Sequence, residues 1–141
     1  MTLVLVEDEQ NLIILGKCGT GKTSFAVVLC EKALENNIKV FYTTIEEFII
    51  VLRQREQMPK VDNLFRYMRE SSIIVVDDMF YSDIMREEAQ LLYRGIAFLN
   101  ETRSIVIISN REISAWIDAS DDKHLMQTMQ DRLAVNSQIM S

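Results

Sequence analysis

Glycine, proline and cysteine are scarce in this 141-residue chain, which contains four glycines, one proline and two cysteines. The two cysteines, Cys18 and Cys30, form neither a disulfide framework nor a metal-ligand spacing. No apolar run approaches the roughly 20 residues that a membrane span needs. The N-terminus, MTLVLVEDEQ, has three acids where a secretory signal would carry basic residues. We therefore expect a cytoplasmic protein without a membrane segment.

Basic residues are outnumbered, with 15 Lys and Arg against 21 Asp and Glu and a net charge of −6. This balance weighs against a protein that binds nucleic acid through a large basic face. A small basic face on an acidic body still permits DNA contact, and we expect such binding to be weak and sequence-independent. The length predicts a single domain over residues 1–141.

Three of the four glycines fall within six residues, in the segment Gly16-Lys17-Cys18-Gly19-Thr20-Gly21-Lys22-Thr23. This segment matches the phosphate-binding loop G-x-x-x-x-G-K-[ST]. An apolar run, residues 12–15, precedes it. Apolar residues at helical spacing follow it from Ala26 to Leu34 and predict an amphipathic helix. The motif requires a strand before the loop and a helix after it, and the sequence has both. The alternative interpretation, a turn with a chance lysine, would not require this context.

Each residue type in the loop has a physical role in binding ATP with Mg²⁺. Glycines let backbone N–H groups turn towards phosphate oxygens at a helix N-terminus. Lys22 is expected to neutralise the β- and γ-phosphates, and the Thr23 hydroxyl to coordinate Mg²⁺. The predicted nucleotide-binding residues are Gly16, Lys17, Cys18, Gly19, Thr20, Gly21, Lys22, Thr23 and Ser24.

Further apolar runs at residues 40–42, 73–76 and 105–108 predict strands that are covered on both faces. Helical patterns lie between them, and Thr43 or Thr44 with the following Glu46 and Glu47 forms a capping box for a helix through about Gln54. Alternating strands and helices predict an α/β fold, a three-layer α/β/α P-loop NTPase with a mainly parallel five-stranded sheet. Ligands of such sheets bind beyond the carboxyl ends of the strands.

Polar residues follow two of these predicted strands. Asp77 and Asp78 end the run at 73–76, as in a Walker B motif, and we assign metal binding to Asp77 and orientation of the attacking water to Asp78. The alternative is a turn or helix cap, because Asp is common at strand ends. Asn110 follows the run at 105–108 and is placed to bond the water or the γ-phosphate, although an isolated Asn here is more often a turn residue.

The motifs GKCGTGKT, VVDDMFY, VIISNREISAW and MQDRL together resemble the IstB-type ATPases of bacterial insertion sequences. This family is related to the DnaC and DnaI helicase loaders within the AAA+ class, and the resemblance covers residues 11–135. It implies an ATP-hydrolysing AAA+ domain that assists a transposase or loads a replicative helicase on DNA.

The resemblance also implies roles for single residues. Lys22 and Thr23 belong to Walker A, Asp77 and Asp78 to Walker B, and Asn110 to sensor 1. Arg132 corresponds to the arginine finger, which stabilises the γ-phosphate held by a neighbouring subunit and so implies a homo-oligomer. From sequence alone, without the resemblance, an ordinary surface arginine is the favoured interpretation of Arg132. The chain ends nine residues after Arg132, which leaves no room for a C-terminal lid.

Two other functions stay open. Asp78 is one methylene shorter than the Glu that most AAA+ enzymes have, which favours a nucleotide-gated binding module with little turnover. A small-molecule P-loop kinase is the second alternative, because Arg53, Arg55, Arg66 and Arg69 resemble an arginine-rich lid.

Overall fold

Strands and helices alternate along the chain in the computed structural model, which describes residues 11–16, 22–57, 63–135 and 137–140. The strands are β1 Asn11–Leu15, β2 Val40–Thr44, β3 Ile73–Asp77, β4 Ser104–Ser109 and β5 Ser137–Met140. The α-helices are α1 Lys22–Glu35, α2 Ile45–Gln57, α3 Asn63–Glu70, α4 Arg86–Asn100 and α5 Lys123–Val135. A 3-10 helix spans Ile113–Ala119.

The five strands form one parallel sheet in the order β2-β3-β4-β1-β5. The inner strands β1, β3 and β4 are aliphatic and buried along their length because helices cover both of their faces. Parallel neighbours require crossover connections, and the helices supply them. The predicted α/β fold with a parallel sheet is confirmed.

Alternate residues of each inner strand belong to two separate cores. Ile13 and Leu15 of β1 point to one core, which α2, α3, α4, α5 and the 3-10 helix complete. Leu12 and Ile14 point to the other, which α1 closes with Ala26 and Leu29. The two cores give three layers, with the sheet between α1 on one side and the remaining helices on the other.

Strand β2 differs from the prediction of a strand covered on both faces. Its residues alternate between buried and exposed, with Phe41 buried and Tyr42 45% exposed. The reason is position, because β2 is an edge strand that α1 contacts but covers only in part. The exposed face of β2 puts the Tyr42 ring at the border of the sheet.

The helices begin near the predicted positions but bury partly different residues. The Thr44 hydroxyl accepts a hydrogen bond of 3.3 Å from the Glu47 amide, as the predicted cap of α2 requires. The predicted apolar stripe of α1 includes Leu34. This prediction is wrong, because Leu34 is 71% exposed. Within the parts of the chain that the structure describes, none of the helices has the length and apolarity to cross a membrane.

Candidate nucleotide site

The carboxyl ends of three adjacent strands bring the predicted site residues to one edge of the sheet. Gly16 follows β1, Asn110 follows β4, and Asp77 ends β3. Leu15 is in register with Ser109, and the Gly16 amide donates a 3.1 Å hydrogen bond to the Ser109 carbonyl. Neighbouring strands lie about 4.8 Å apart, so the edge from β1 to β3 spans about 10 Å.

The predicted phosphate-binding loop lies between β1 and α1, as its motif requires. Residues 17–21, which include Lys17, Cys18, Gly19, Thr20 and Gly21, lie outside the described residues. Helix α1 begins at Lys22, and its N-terminus therefore follows the carboxyl end of β1. The side chains of Lys22, Thr23 and Ser24 are likewise outside the description, so their predicted contacts stay predictions.

Asp77 is the half-buried carboxylate of this edge. Its Oδ1 accepts a 2.7 Å hydrogen bond from the Asp78 amide, and its Oδ2 accepts one from the Tyr42 hydroxyl. Two donors on separate oxygens fix the plane of the carboxylate before any ligand binds.

The contact with Asp77 also affects the pKa of Tyr42. Burial raises the pKa of Tyr42 well above its ordinary value, and the hydrogen bond to Asp77 and the charges of Asp77 and Asp78 raise it further. The phenol therefore keeps its proton and remains a donor to Asp77 throughout the neutral range. Sequence reasoning missed Tyr42, because the local pattern does not show that β2 pairs with β3.

The segment after β3 has an unusual backbone. Asp78 and Phe80 adopt positive φ angles of 56° and 57°. This conformation is tolerated by Asp but is unusual for a bulky aromatic residue, and such outliers concentrate at functional sites. Met79 and Phe80 are nonetheless buried, and the Phe80 ring meets Trp116 edge-on at 5.3 Å. Packing of two apolar side chains thus holds the backbone that follows Asp77.

The end of β4 is bonded to that same segment. The Ser109 hydroxyl donates a 2.6 Å hydrogen bond to the Met79 carbonyl and accepts one of 3.1 Å from the Arg111 amide. Asn110, between them, is exposed at the edge. The Arg111 guanidinium binds Asp83 at 2.8 Å, and the Arg111 carbonyl accepts a bond from the Trp116 indole. Asp77 and Asn110 therefore stand on two chain segments that are joined to each other.

Arg132 is not brought to this edge. It lies near the end of α5, just before β5, and β5 starts level with Asn11, the first residue of β1. Arg132 therefore lies towards the amino edge of the sheet, where it is exposed and its guanidinium sits 5.9 Å from the centre of the Tyr93 ring. Within one chain, Arg132 and Asp77 are separated by the length of a strand, about 15 Å.

Two of the arginines that resemble a kinase lid have structural partners instead. Arg53 of α2 pairs with Glu87 of α4 at 2.8 Å. The Arg55 guanidinium lies 4.8 Å from the centre of the Phe65 ring. Arg69 lies at the end of α3, shortly before β3 begins, and hence towards the amino edge, away from Asp77. These contacts do not favour a mobile lid over the nucleotide edge.

The donor set fits a magnesium ion that is held together with phosphates. No group of three or more His, Cys, Asp or Glu side chains suited to a metal occurs in the described part of the chain. Mg²⁺ bound with a nucleotide needs only one or two protein oxygens, because phosphates and water complete its shell. A single oriented carboxylate, Asp77, meets that requirement.

Comparison with known sequences identifies the family. The sequence model of the IstB-like ATP binding proteins matches residues 1–141. The chain belongs to this family.

Named relatives of the IstB-like chain include ATP-binding proteins of insertion sequences. The one named for IS21 in Pseudomonas aeruginosa is 29% identical over 135 residues, covering 96% of this chain and 51% of the relative. The one named for IS5376 in Geobacillus stearothermophilus is 27% identical over 141 residues, covering 100% and 56%. The chain thus spans about half the length of these relatives.

The IstB-like chain shares its fold with solved structures of other proteins. The DnaC helicase loader superposes with a TM-score of 0.76 at 16% identity, covering 99% of this chain and 84% of that structure. DnaI superposes with a TM-score of 0.77 at 12% identity, covering 99% and 79%. At these identities the likeness concerns the fold alone, and it agrees with the predicted α/β P-loop fold.

Proposed function

We propose that this chain is a single AAA+ domain, residues 1–141, which binds ATP with Mg²⁺ and hydrolyses the β–γ phosphoanhydride. The observation that supports this most is the convergence of Gly16, Asp77 and Asn110 on adjacent strand ends, with a helix N-terminus following β1. Binding of a triphosphate needs backbone amides and a cation around the phosphates, and a carboxylate next to them that holds the metal ion.

The residues divide into three roles in this proposal. Residues 16–24 hold the nucleotide, with Lys22 at the phosphates. Thr23 and Asp77 hold Mg²⁺, which neutralises phosphate charge when it is bound. Asp78 and Asn110 orient the attacking water, and their exposure at the edge leaves both accessible to it.

Arg132 acts in trans in this proposal. Its position towards the amino edge separates it from the nucleotide of its own chain, whereas a neighbouring copy can present its Arg132 to this site. A guanidinium stabilises the charge that spreads over the transferring phosphoryl oxygens. Hydrolysis then depends on a homo-oligomer.

The partners follow from the relatives. Insertion-sequence ATP-binding proteins suggest a transposase, and the DnaC helicase loader suggests a replicative helicase, as the protein that the domain assists in the cytoplasm. A DnaA structure contains single-stranded DNA. We expect DNA binding by this chain to be weak and sequence-independent because its net charge is −6.

The test is phosphate release from Mg-ATP per chain over a range of protein concentrations, with and without duplex DNA. The proposal expects a specific rate that rises with concentration and with DNA. The Lys22→Ala variant should lose nucleotide affinity because the phosphates lose their cation. Unchanged ATP binding by this variant would show that the loop is assigned wrongly.

A nucleotide-gated module with little turnover is the second candidate. Asp78 favours it, because its side chain is short and its backbone is fixed in the left-handed region by the bond to Asp77. ATP binding without phosphate release at every concentration, with and without DNA, would select this candidate.

A further inference from the structure

Ser109 stands where the three segments of the candidate site meet. Its carbonyl accepts the Gly16 amide, its hydroxyl donates to the Met79 carbonyl, and the same hydroxyl accepts the Arg111 amide. The residue is fully buried. One serine therefore touches the entry to the phosphate loop, the segment after Asp77 and Asp78, and the segment that carries Asn110.

We propose that Ser109 is a positioning residue for hydrolysis, whose hydroxyl holds the Walker B segment against the strand that carries Asn110. The inference rests on the proposed function and concerns a residue to which the motifs above assign no role. The side chain of Ser109 is buried and cannot contact the nucleotide, so it acts through Asp78 and Asn110.

The backbone of residues 78–80 explains why a tether is needed. Two positive φ angles make this segment an unfavourable conformation that surrounding contacts must hold. The Met79 carbonyl accepts the hydrogen bond from the Ser109 hydroxyl, and the Met79 amide donates a hydrogen bond of 2.9 Å to the Ile108 carbonyl. Met79 is therefore bonded to β4 through both its amide and its carbonyl. Without the hydroxyl only the amide bond remains, and Asp78 gains freedom relative to Asn110.

The side chain acts on hydrolysis rather than on binding. Ser109 accepts the hydrogen bond from Gly16 with its backbone carbonyl, which every residue supplies. Its hydrogen bonds to Met79 and Arg111 use the side-chain hydroxyl instead. Ser109→Ala therefore leaves the phosphate-loop entry tied to β4 and frees the water-orienting residues. A misplacement of about 1 Å in such groups costs up to about 100-fold in rate.

Ser71 offers a matched control. It is also a buried serine, and its hydroxyl donates a 2.9 Å hydrogen bond to the Tyr67 carbonyl. Ser71 precedes β3 and so lies at the amino edge, a strand length away from Asp77. Ser71→Ala thus removes the same kind of bond without touching the candidate site.

Trp116 provides a readout that does not need turnover. It is the only tryptophan, it is 1% exposed, and its ring packs on Phe80 in the tethered segment. Release of that segment opens the ring contact, so acrylamide quenching of Trp116 fluorescence in the nucleotide-free protein should increase in S109A and not in S71A.

The experiment compares the 141-residue wild type, S109A and S71A for ATP affinity, kcat and Trp116 quenching. We expect S109A to lose about 10- to 100-fold in kcat, to keep its ATP affinity and to show increased quenching, while S71A matches the wild type in all three. Ser109→Thr, which keeps the hydroxyl, should recover kcat. If S109A does not fold, Ser109→Cys replaces it, because a thiol fills the site but donates weakly.

Two results would overturn the inference. Equal kcat in S109A and S71A, whatever their quenching, would show that the Ser109 hydroxyl does not position residues for hydrolysis. A parallel loss of ATP affinity and kcat in S109A would show that Ser109 supports binding. If the wild type releases no phosphate, hydrolysis fails as its function, and the quenching comparison alone decides whether Ser109 holds the segment.

Discussion

Tyr42 gives a direct test of how Asp77 is prepared to bind Mg²⁺. The Tyr42 hydroxyl donates to Asp77 Oδ2, while the Asp78 amide holds Oδ1. Tyr42→Phe removes only the hydroxyl and keeps the ring. Asp77 then retains one donor and can rotate about it, so the carboxylate must be reordered when the metal binds.

The size of the effect follows from the bond and from its exposure. Loss of a hydrogen bond that orients a metal ligand weakens metal binding by about 10- to 100-fold. Tyr42 is 45% exposed, so water can partly replace the hydroxyl at Asp77 and the lower end applies. We expect the half-saturating Mg²⁺ concentration to rise about tenfold, which corresponds to about 1.4 kcal/mol.

The assay is a Mg²⁺ titration of phosphate release, or of binding of a fluorescent ATP analogue, at fixed nucleotide concentration. Tyr67→Phe is the control, because Tyr67 is 46% exposed and lies under the Lys39 ammonium, 4.1 Å from the ring centre, beyond the amino end of β2. An unchanged half-saturating concentration in Y42F would refute the orienting role. A lowered one would show that the hydroxyl competes with the metal for Asp77.

Three further predictions concern pH, packing and assembly. Because the pKa of Tyr42 is raised, the folded state keeps the phenol proton above a pH of about 10, where the unfolded chain loses it. The stabilisation from this group is therefore complete below that pH and is lost progressively above it. The difference in unfolding free energy between wild type and Y42F should shrink on alkaline titration. A Cβ at Gly95 would lie 2.7 Å from both Cδ atoms of buried Leu52. Gly95→Ala should therefore destabilise by about 1 kcal/mol in urea denaturation, because overpacking of about 1–3 kcal/mol exceeds the helix-propensity gain of about 1 kcal/mol, and it should stabilise in a Leu52→Ala background. Arg132→Ala should keep ATP affinity and lose the rise of turnover with protein concentration; retained concentration dependence would return Arg132 to a surface role beside Tyr93.

The fold was predictable because its strands are marked by composition. Continuous aliphatic runs of four residues are typical of strands that are covered on both faces in a parallel sheet, and β1, β3 and β4 are such strands. The cap of α2 was predictable because Thr44 and Glu47 interact over three residues. The placement of Asp77 and Asn110 at the carboxyl edge followed from the same local logic, since Asp77 ends one strand and Asn110 comes directly after another.

The rest depends on which strands become neighbours, and local pattern does not show this. Tyr42 meets Asp77 only because β2 pairs with β3 in register, with Thr44 opposite Asp77. Ser109 meets Met79 only because β4 pairs with β3. Leu34 was predicted to be buried by spacing alone, but α1 turns it away from the sheet. In each case the deciding contact lies far along the chain.

The placement of Arg132 sets a condition on any mechanism that uses it. In a parallel sheet the carboxyl and amino edges are a strand length apart, and α5 ends towards the amino edge while Asp77 and Asn110 lie at the other. Movement of a side chain cannot close about 15 Å, so one chain cannot supply its own finger to its own nucleotide. A finger role for Arg132 therefore requires a second copy whose amino-edge surface around Arg132 faces the carboxyl edge of the first. That contact joins two different surfaces, so it extends to a ring or a filament rather than closing as a symmetric dimer. The rate per chain must then continue to rise beyond the concentration at which dimers form.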